Sequence, residues 1–302
     1  MTLQQLLYFV AVAETRHFTE AARRTHVAQP SLSKQIQTLE GELGAPLFSR
    51  ARGHVALTPA GEALLPVAKR ILSDVDSARL EVAELVGLRR GRVRLGATPS
   101  LCVGVLPGVL RRFHDAYPGI QLVVQESGSR DLTRALTGGE LDLALIIVRP
   151  QRVDAALTAT PILRERLVVA AAADGPPGPA RVAALRNTRM VMFRDGYDLR
   201  ETTLAACRRA GFEPRLAVEG GEMDAVLRFV EAGLGVAVVP SMVLPGRTAL
   251  RATALTAPVL RRTIALAHRS DVPPTNAARA FRTTLFDFLA EANLPDGVER
   301  MR

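Results

Sequence analysis

Between Gln29 and Gln37 the chain carries Gln29, Ser31, Ser33, Lys34, Gln35 and Gln37, a run of amides and hydroxyls with one cation and no carboxylate before Glu40. Leu32, Ile36, Leu39 and Leu43 recur through the same stretch at intervals of four, three and four, so a helix there has one apolar stripe and one polar face. Amides and hydroxyls are the groups that pair with base edges in a major groove, and Lys34 suits a phosphate or a guanine. Pro30, which has no N–H to leave unpaired, suits the start of this helix. The chemistry implied is recognition. Catalysis has no comparable support: His17, His26, His54, His114 and His268 show no metal-ligand spacing, and Cys102 and Cys207 form no CxxC pair. Gly233-x-Gly235 lacks a third glycine and precedes a strand, and neither a GxSxG elbow nor a P-loop occurs. No catalytic residue, metal or cofactor is therefore expected.

Three further elements must hold that helix in place. Leu3–Glu14 has helical spacing, with Leu6, Val10 and Ala13 expected to face inward. Phe18–Val27 reads as a second helix opened by Thr19 as N-cap, with a break near Val27 and Ala28 before the polar helix. Leu47–Leu57 alternates around Gly53 as a wing bearing Arg50 and Arg52. Between Arg16 and Leu57 the cations exceed the carboxylates by three, which favours phosphate contact. Thr58 and Pro59 then open a long helix in which Leu64, Ala68, Ile71, Val75, Ala78, Val82 and Leu85 form a heptad seam. Pairing with a second copy uses such a seam; the alternative is packing onto its own domain. Pro66 should kink that helix near its start.

Ala21-Ala22 through Val27, Gln29-Pro30-Ser31-Leu32-Ser33-Lys34-Gln35-Ile36, Leu39-Glu40, Leu43-Gly44, Leu47-Phe48-Ser49-Arg50 and Leu57-Thr58-Pro59-Ala60-Gly61 together resemble the N-terminal domain of LysR-type transcriptional regulators. The resemblance implies DNA contacts at Gln29, Pro30, Ser31, Ser33 and Lys34, backbone contacts from Arg50 and Arg52, and a linker helix through which subunits dimerise. The chain departs from the family pattern at Ala28, where Ser is common, at Lys34, where Arg is frequent, and at Arg52, since the wing arginine often stands where Gly53 lies. A lysine cannot make the planar two-pronged bond to guanine, so these departures bear on base preference.

Past the Leu88–Gly91 hinge, short apolar strands alternate with helices, the pattern of a parallel sheet covered by helices. Strands are expected at Val93–Ala97, Ile120–Gln125, Leu141–Val148, Leu167–Ala171, Met190–Phe193, Leu216–Val218, Val236–Val239, Ala249–Leu255 and Thr263–Ala267. Helices are expected at Leu101–Ala116, Leu132–Thr137, Leu199–Ala210, Asp224–Ala232 and Asn276–Ala292. Arg92–Ala97, Leu106–Phe113, Tyr117–Ile120, Gly139–Ala144 and Gly233–Pro240 resemble the same family's effector domain, two α/β lobes similar to periplasmic solute-binding proteins. The expected fold class is thus α/β: a winged helix-turn-helix domain (1–57), a linker helix and hinge (58–90) and a two-lobed effector domain (91–302). Lobe 1 is expected at 91–161 and 266–302, and lobe 2 at 162–265.

Ligands of open α/β sheets bind beyond the carboxyl ends of the strands, in the crevice between lobes. That rule selects Thr98, Pro99, Ser100 and Leu101; Ser127, Gly128 and Ser129; Ile147 to Arg149; and, from the other lobe, Phe193, Gly196 and Tyr197. Ser100 either helps a helix start to hold a carboxylate or merely caps that helix. Arg149 is either its anion partner or a solvated charge.

The 302 residues are long enough for two domains, nearly half are apolar, and the net charge of +9 suits an anionic partner. The arginine- and alanine-rich composition is also what a GC-rich genome produces. The absence of tryptophan argues against a stacking surface for single strands. The two cysteines read as reduced, packed thiols, a redox pair being the alternative. No leader is recognised, and the uncharged run from Ala232 to Gly246 is shorter than the roughly 18 residues of a membrane span, so a cytoplasmic protein without membrane partners is expected. The expected partners are double-stranded DNA, a small-molecule effector, RNA polymerase and copies of the chain itself, as homodimer or homotetramer. The rival expectation is an α/β solute-binding module or enzyme with a structural helical N-terminus.

Overall fold

The structure, a computed structural model, describes residues 1–49, 55–85, 91–148 and 154–301. It divides into two compact units, Met1–Arg90 with Thr137–Glu140, and Gly91–Leu136 with Leu141–Arg302.

The first unit opens with α1 (Leu3–Thr15), α2 (Phe18–Arg24) and α3 (Gln29–Leu43), followed by β1 (Phe48–Ser49), β2 (Ala56–Leu57) and α4 (Pro59–Leu85). Its core gathers Leu6, Phe9 and Val12 of α1, Ala21 and Ala22 of α2, Leu32, Ile36 and Leu39 of α3, Phe48 and Ala68. The inward face of α1 thus runs through Phe9 and Val12, with Val10 and Ala13 only at its margin, because Phe9 fills the space beside the Phe48 ring at 5.4 Å. The N-cap of α2 is His17, not Thr19: its Nδ1 accepts from the Glu20 N–H at 3.4 Å, two residues earlier than the hydroxyl rule suggests. His26 takes a left-handed φ of 56°, and its N–H reaches the Arg23 carbonyl, which closes the turn between α2 and α3.

The wing strands pair antiparallel, Phe48 with Leu57 and Ser49 with Ala56. Glu40 pins them to α3, its Oε1 accepting from the N–H groups of Leu47 at 2.7 Å and Phe48 at 3.3 Å. The linker helix runs unbroken through Pro66. Part of its seam is used inside its own unit: Ala68 is fully buried, with Leu64 and Ile71 against the same core, because α1 crosses there. Val82, farther along, is 61% exposed. Arg50, Arg52, Gly53 and the expected hinge at Leu88–Arg90 lie outside the described residues.

In the second unit come β3 (Gly91–Ala97), α5 (Pro99–Val103), α6 (Leu106–Ala116), β4 (Ile120–Glu126), α7 (Ser129–Thr137), β5 (Leu143–Val148) and β6 (Leu157–Ala172). There follow β7 (Arg189–Met192), α8 (Asp198–Arg209), β8 (Arg215–Glu219), α9 (Met223–Glu231) and β9 (Ala237–Pro240), then β10 (Leu250–Ala254), β11 (Arg261–Arg269), α10 (Asn276–Glu291) and β12 (Val298–Arg300). The single helix expected from Leu101 to Ala116 is two, broken at Gly104, with Pro107 in the first turn of the second. The main sheet runs β10-β6-β11-β5-β3-β4, with β9 and β12 also on β6; β7 and β8 form a separate parallel pair. Parallel pairs β3–β4 and β3–β5 meet antiparallel β11. The sheet is therefore mixed, its parallel part joined by antiparallel strands that the expectation of a parallel sheet did not include. The first half of β6, residues 157–166, had no expectation attached to it, and it pairs along β11. Both strands run through the expected lobe boundaries at 161/162 and 265/266, so these strands join the lobes. The helix expected to return to lobe 1 does so: Phe281 of α10 meets Phe113 of α6 edge-on at 5.2 Å. Among the described residues no helix is long and apolar enough to cross a membrane.

Gly61 tests the packing of α4 on the wing. A Cβ there would collide with the Leu47 carbonyl oxygen, a backbone atom held by its bond from the Thr58 N–H at 3.0 Å. Glycine to alanine inside a helix ordinarily gains roughly 0.5–1 kcal/mol. Here overpacking outweighs it, and Gly61→Ala should lower stability by about 1–3 kcal/mol in urea unfolding.

Candidate functional site

On α3, Leu32, Ile36 and Leu39 are fully buried, whereas Gln29, Pro30, Ser31, Lys34 and Gln37 are exposed and Ser33 and Gln35 half-exposed. All five helix positions expected to touch DNA therefore share an accessible face. Ala28 occupies the N-cap and makes no side-chain cap bond, so the start of α3 rests on proline geometry instead. The positive charge of the unit is less available than the sequence suggests. Arg23 is bonded to Glu20 at 2.7 Å, and Arg24 to Glu14 at 2.7 Å. The Arg23 hydrogen bond holds the Glu20 carboxyl below its ordinary value. Lys34 has no acidic partner among the described residues, which leaves it available to an external anion.

In the second unit the expected residues converge where β3, β4 and β5 end. Thr98 and Ser100 are buried, their hydroxyl oxygens 3.5 Å apart. Ser100 is not the helix cap; Thr98 holds that position, without a side-chain bond, and α5 has only five residues. The Ser100 hydroxyl instead accepts from Arg262 Nη2 at 2.9 Å. Leu101 is fully buried in the core and presents no polar group. Ser127 donates to Asp131 at 3.3 Å. Gly128 lies next to the Gly196 carbonyl, close enough that a Cβ would stand 3.5 Å from it. Ile147 is half-buried, and its N–H donates to Ser129 Oγ at 3.0 Å. Arg149 lies outside the described residues.

From the facing lobe, Phe193 and Tyr197 are buried and stacked, ring centroids 4.8 Å apart, with Gly196 taking the left-handed turn between them at φ 76°. The Ser129 hydroxyl donates to Asp198 at 2.6 Å and ties α7 to the start of α8 across the cleft. Burial pushes the Tyr197 phenol well above its ordinary value, with Glu222 and Asp198 adding to it and Arg262 and the Ser100 N–H opposing.

The sequence reading missed Glu165 and Arg262, directly opposed on β6 and β11. Arg262 Nε donates to Glu165 Oε2 at 2.8 Å, and Glu165 Oε1 accepts from the Met242 N–H at 2.8 Å. A signal was available. Arg262 shares strand parity with buried Ile264 and Leu266, and Glu165 with Leu163 and Leu167, so strict alternation turns both charges inward.

A winged helix-turn-helix unit joined to a two-lobed α/β unit with a polar cleft defines a ligand-responsive regulator of transcription. Residues 3–62 match the family described as bacterial regulatory helix-turn-helix protein, lysR family, and residues 87–290 match the LysR substrate binding domain. The chain belongs to the LysR family of transcriptional regulators. It is 34% identical over 283 residues to the HTH-type transcriptional regulator IlvR of Caulobacter vibrioides, covering 91% of this chain and 95% of that protein. With the probable hydrogen peroxide-inducible genes activator of Streptomyces viridosporus it shares 36% identity over 288 residues, 92% of this chain and 90% of that one. Full-length CbnR solved with its target DNA superposes with a TM-score of 0.69 at 25% identity, covering 94% of this chain and 99% of that one.

Cys102 and Cys207 are both free thiols. Burial, reinforced by Glu126, pushes Cys102 up to about 12; burial and Glu213 push Cys207 up to about 11. Since the thiolate is the reactive form, the native protein should resist an aromatic disulfide reagent at about pH 8 while the urea-unfolded chain reacts at both positions. Rapid native labelling of either cysteine would contradict this.

Proposed function

We propose that this chain reads a specific sequence of double-stranded DNA through α3 and the wing, as a homodimer or homotetramer, and that its lobes bind a small carboxylated metabolite. The observation that carries the first part is the split of α3: the leucine and isoleucine stripe lies in the core while Gln29, Pro30, Ser31, Ser33 and Lys34 face outward. Arg50 and Arg52 of the wing would add phosphate contacts. The DNA complex of CbnR supports the reading, since that relative has the same fold from end to end. The exposed part of the linker seam beyond Ile71, including Val82, supports pairing with a second copy.

The cleft supports the second part. Thr98, Ser100, Ser127, Gly128, Ile147, Phe193, Gly196 and Tyr197 offer hydroxyls and amide N–H groups beside an aromatic wall, as an oxygen-rich ligand with an apolar body requires. Arg149 is a further candidate partner for its charge. Sensing through a thiolate, which the name of the Streptomyces relative brings into question, is disfavoured by the raised values of both cysteines. Ligand binding would bias closure of the lobes, and the linker helices would carry that bias into half-site spacing and into contact with RNA polymerase.

Duplex from the region upstream of the gene should bind with an affinity that falls steeply as salt rises. Lys34→Ala should weaken binding about tenfold and shallow the salt slope by about one. Its oligomeric state in sedimentation should not change. Salt-independent binding, or a variant that loses the oligomer instead of the DNA, would show that α3 has another role.

A further inference from the structure

Resting on the proposed carboxylate reading of the cleft, we infer that the Arg262 guanidinium and the Tyr197 hydroxyl are the two groups that receive the ligand's carboxylate, with Ser100 between them.

Two observations converge on Ser100. Arg262 is buried, and its recorded bonds run from Nε and Nη2 to Glu165 and from Nη2 to Ser100; among the described residues Nη1 has no partner. The Tyr197 hydroxyl, on a side chain 97% buried, also has none, although the Ser100 N–H and the Arg262 charge both act on it. A buried hydroxyl left unpaired calls for a partner, and the Tyr197 hydroxyl stands with the unbonded Nη1 of Arg262 around one serine. Glu165 is engaged by Arg262 and Met242 and Asp198 by Ser129, while Glu222 is engaged by Arg194 through Oε1 and keeps a buried Oε2 without a partner. None of them bonds to Arg262 Nη1 or to the Tyr197 hydroxyl.

The missing acceptor is an anion with two oxygens. A carboxylate accepts one bond from Nη1 and one from the phenol. A neutral amide of the same shape offers a single acceptor oxygen and sets its NH2 group against these donors. Because Arg262 stands on β11 and its partner Glu165 on β6, the strands that join the lobes, a ligand drawing on Arg262 acts directly on the joint between them. Glu165 in turn holds the Met242 N–H in the turn after β9.

The test uses the full-length protein with benzoate, succinate and glutarate, each beside its uncharged amide, measured by calorimetry and thermal unfolding. At least one carboxylate should bind the wild type at least tenfold more tightly than its amide. Tyr197→Phe should then bind that carboxylate about tenfold more weakly, with a melting temperature equal to or above wild type, because the hydroxyl removed has no partner in the fold. A merely structural tyrosine would give the opposite pattern, lower stability with unchanged affinity. Arg262→Lys should keep the charge but lose at least tenfold in affinity, since an ammonium cannot serve Glu165, Ser100 and the ligand together. Selective carboxylate binding that survives Tyr197→Phe or Arg262→Lys unchanged overturns this inference and leaves the carboxylate reading standing. Amides binding as well as acids, or no acid binding the wild type, overturns the carboxylate reading itself.

Discussion

The second unit depends on one buried ion pair. Glu165 is fully buried and Arg262 nearly so, and they face one another on β6 and β11, the strands that belong to both lobes. Taking either charge away would leave the other buried without compensation, at a cost of about 3–5 kcal/mol, whereas an apolar pair of equal volume would be as stable or more so. Bulk stability therefore does not explain the pair. Its bonds do: Arg262 fixes Ser100 of the first lobe, and Glu165 fixes the Met242 turn of the second. One interaction sets the geometry of the cleft from both sides at the level of its joint. The Ser129–Asp198 bond closes the opposite edge, between α7 and α8.

The first unit obeys a different constraint, the division of α3 into two faces. Its apolar stripe packs on α1 and α2, and its last turn anchors the wing through Glu40. The polar face consequently has no internal work, and its groups stay available without rearrangement. Neighbouring arginines do not compete for the same anions, because Arg23 and Arg24 are engaged with Glu20 and Glu14.

The relatives that match about nine-tenths of this chain include one named for induction by hydrogen peroxide. In this chain its polar groups are hydroxyls, a phenol and a guanidinium, and the two thiols are held protonated by burial. The architecture is the family's.

Most of the first unit was legible in the sequence because its signals are local. A stripe spaced at three and four, a proline at a helix start and a glycine-centred wing each declare themselves within one or two turns of chain. The cap of α2 was misplaced by two residues because a hydroxyl outranks an imidazole as a general rule, while here His17 reaches the Glu20 N–H. The linker seam was legible as a pattern, but its division between an inner and an exposed part followed from where α1 crosses it. In the second unit the order of strands and helices could be read, yet the charge in the cleft could not. Glu165 and Arg262 are 97 residues apart, and Ser100 stands 162 from Arg262, so only the folding of β11 beside β6 and of both behind α5 brings them together. Periodicity determined which faces are apolar; long-range strand pairing decided which polar groups meet, because a hydrogen bond depends on distance in space and not on distance along the chain.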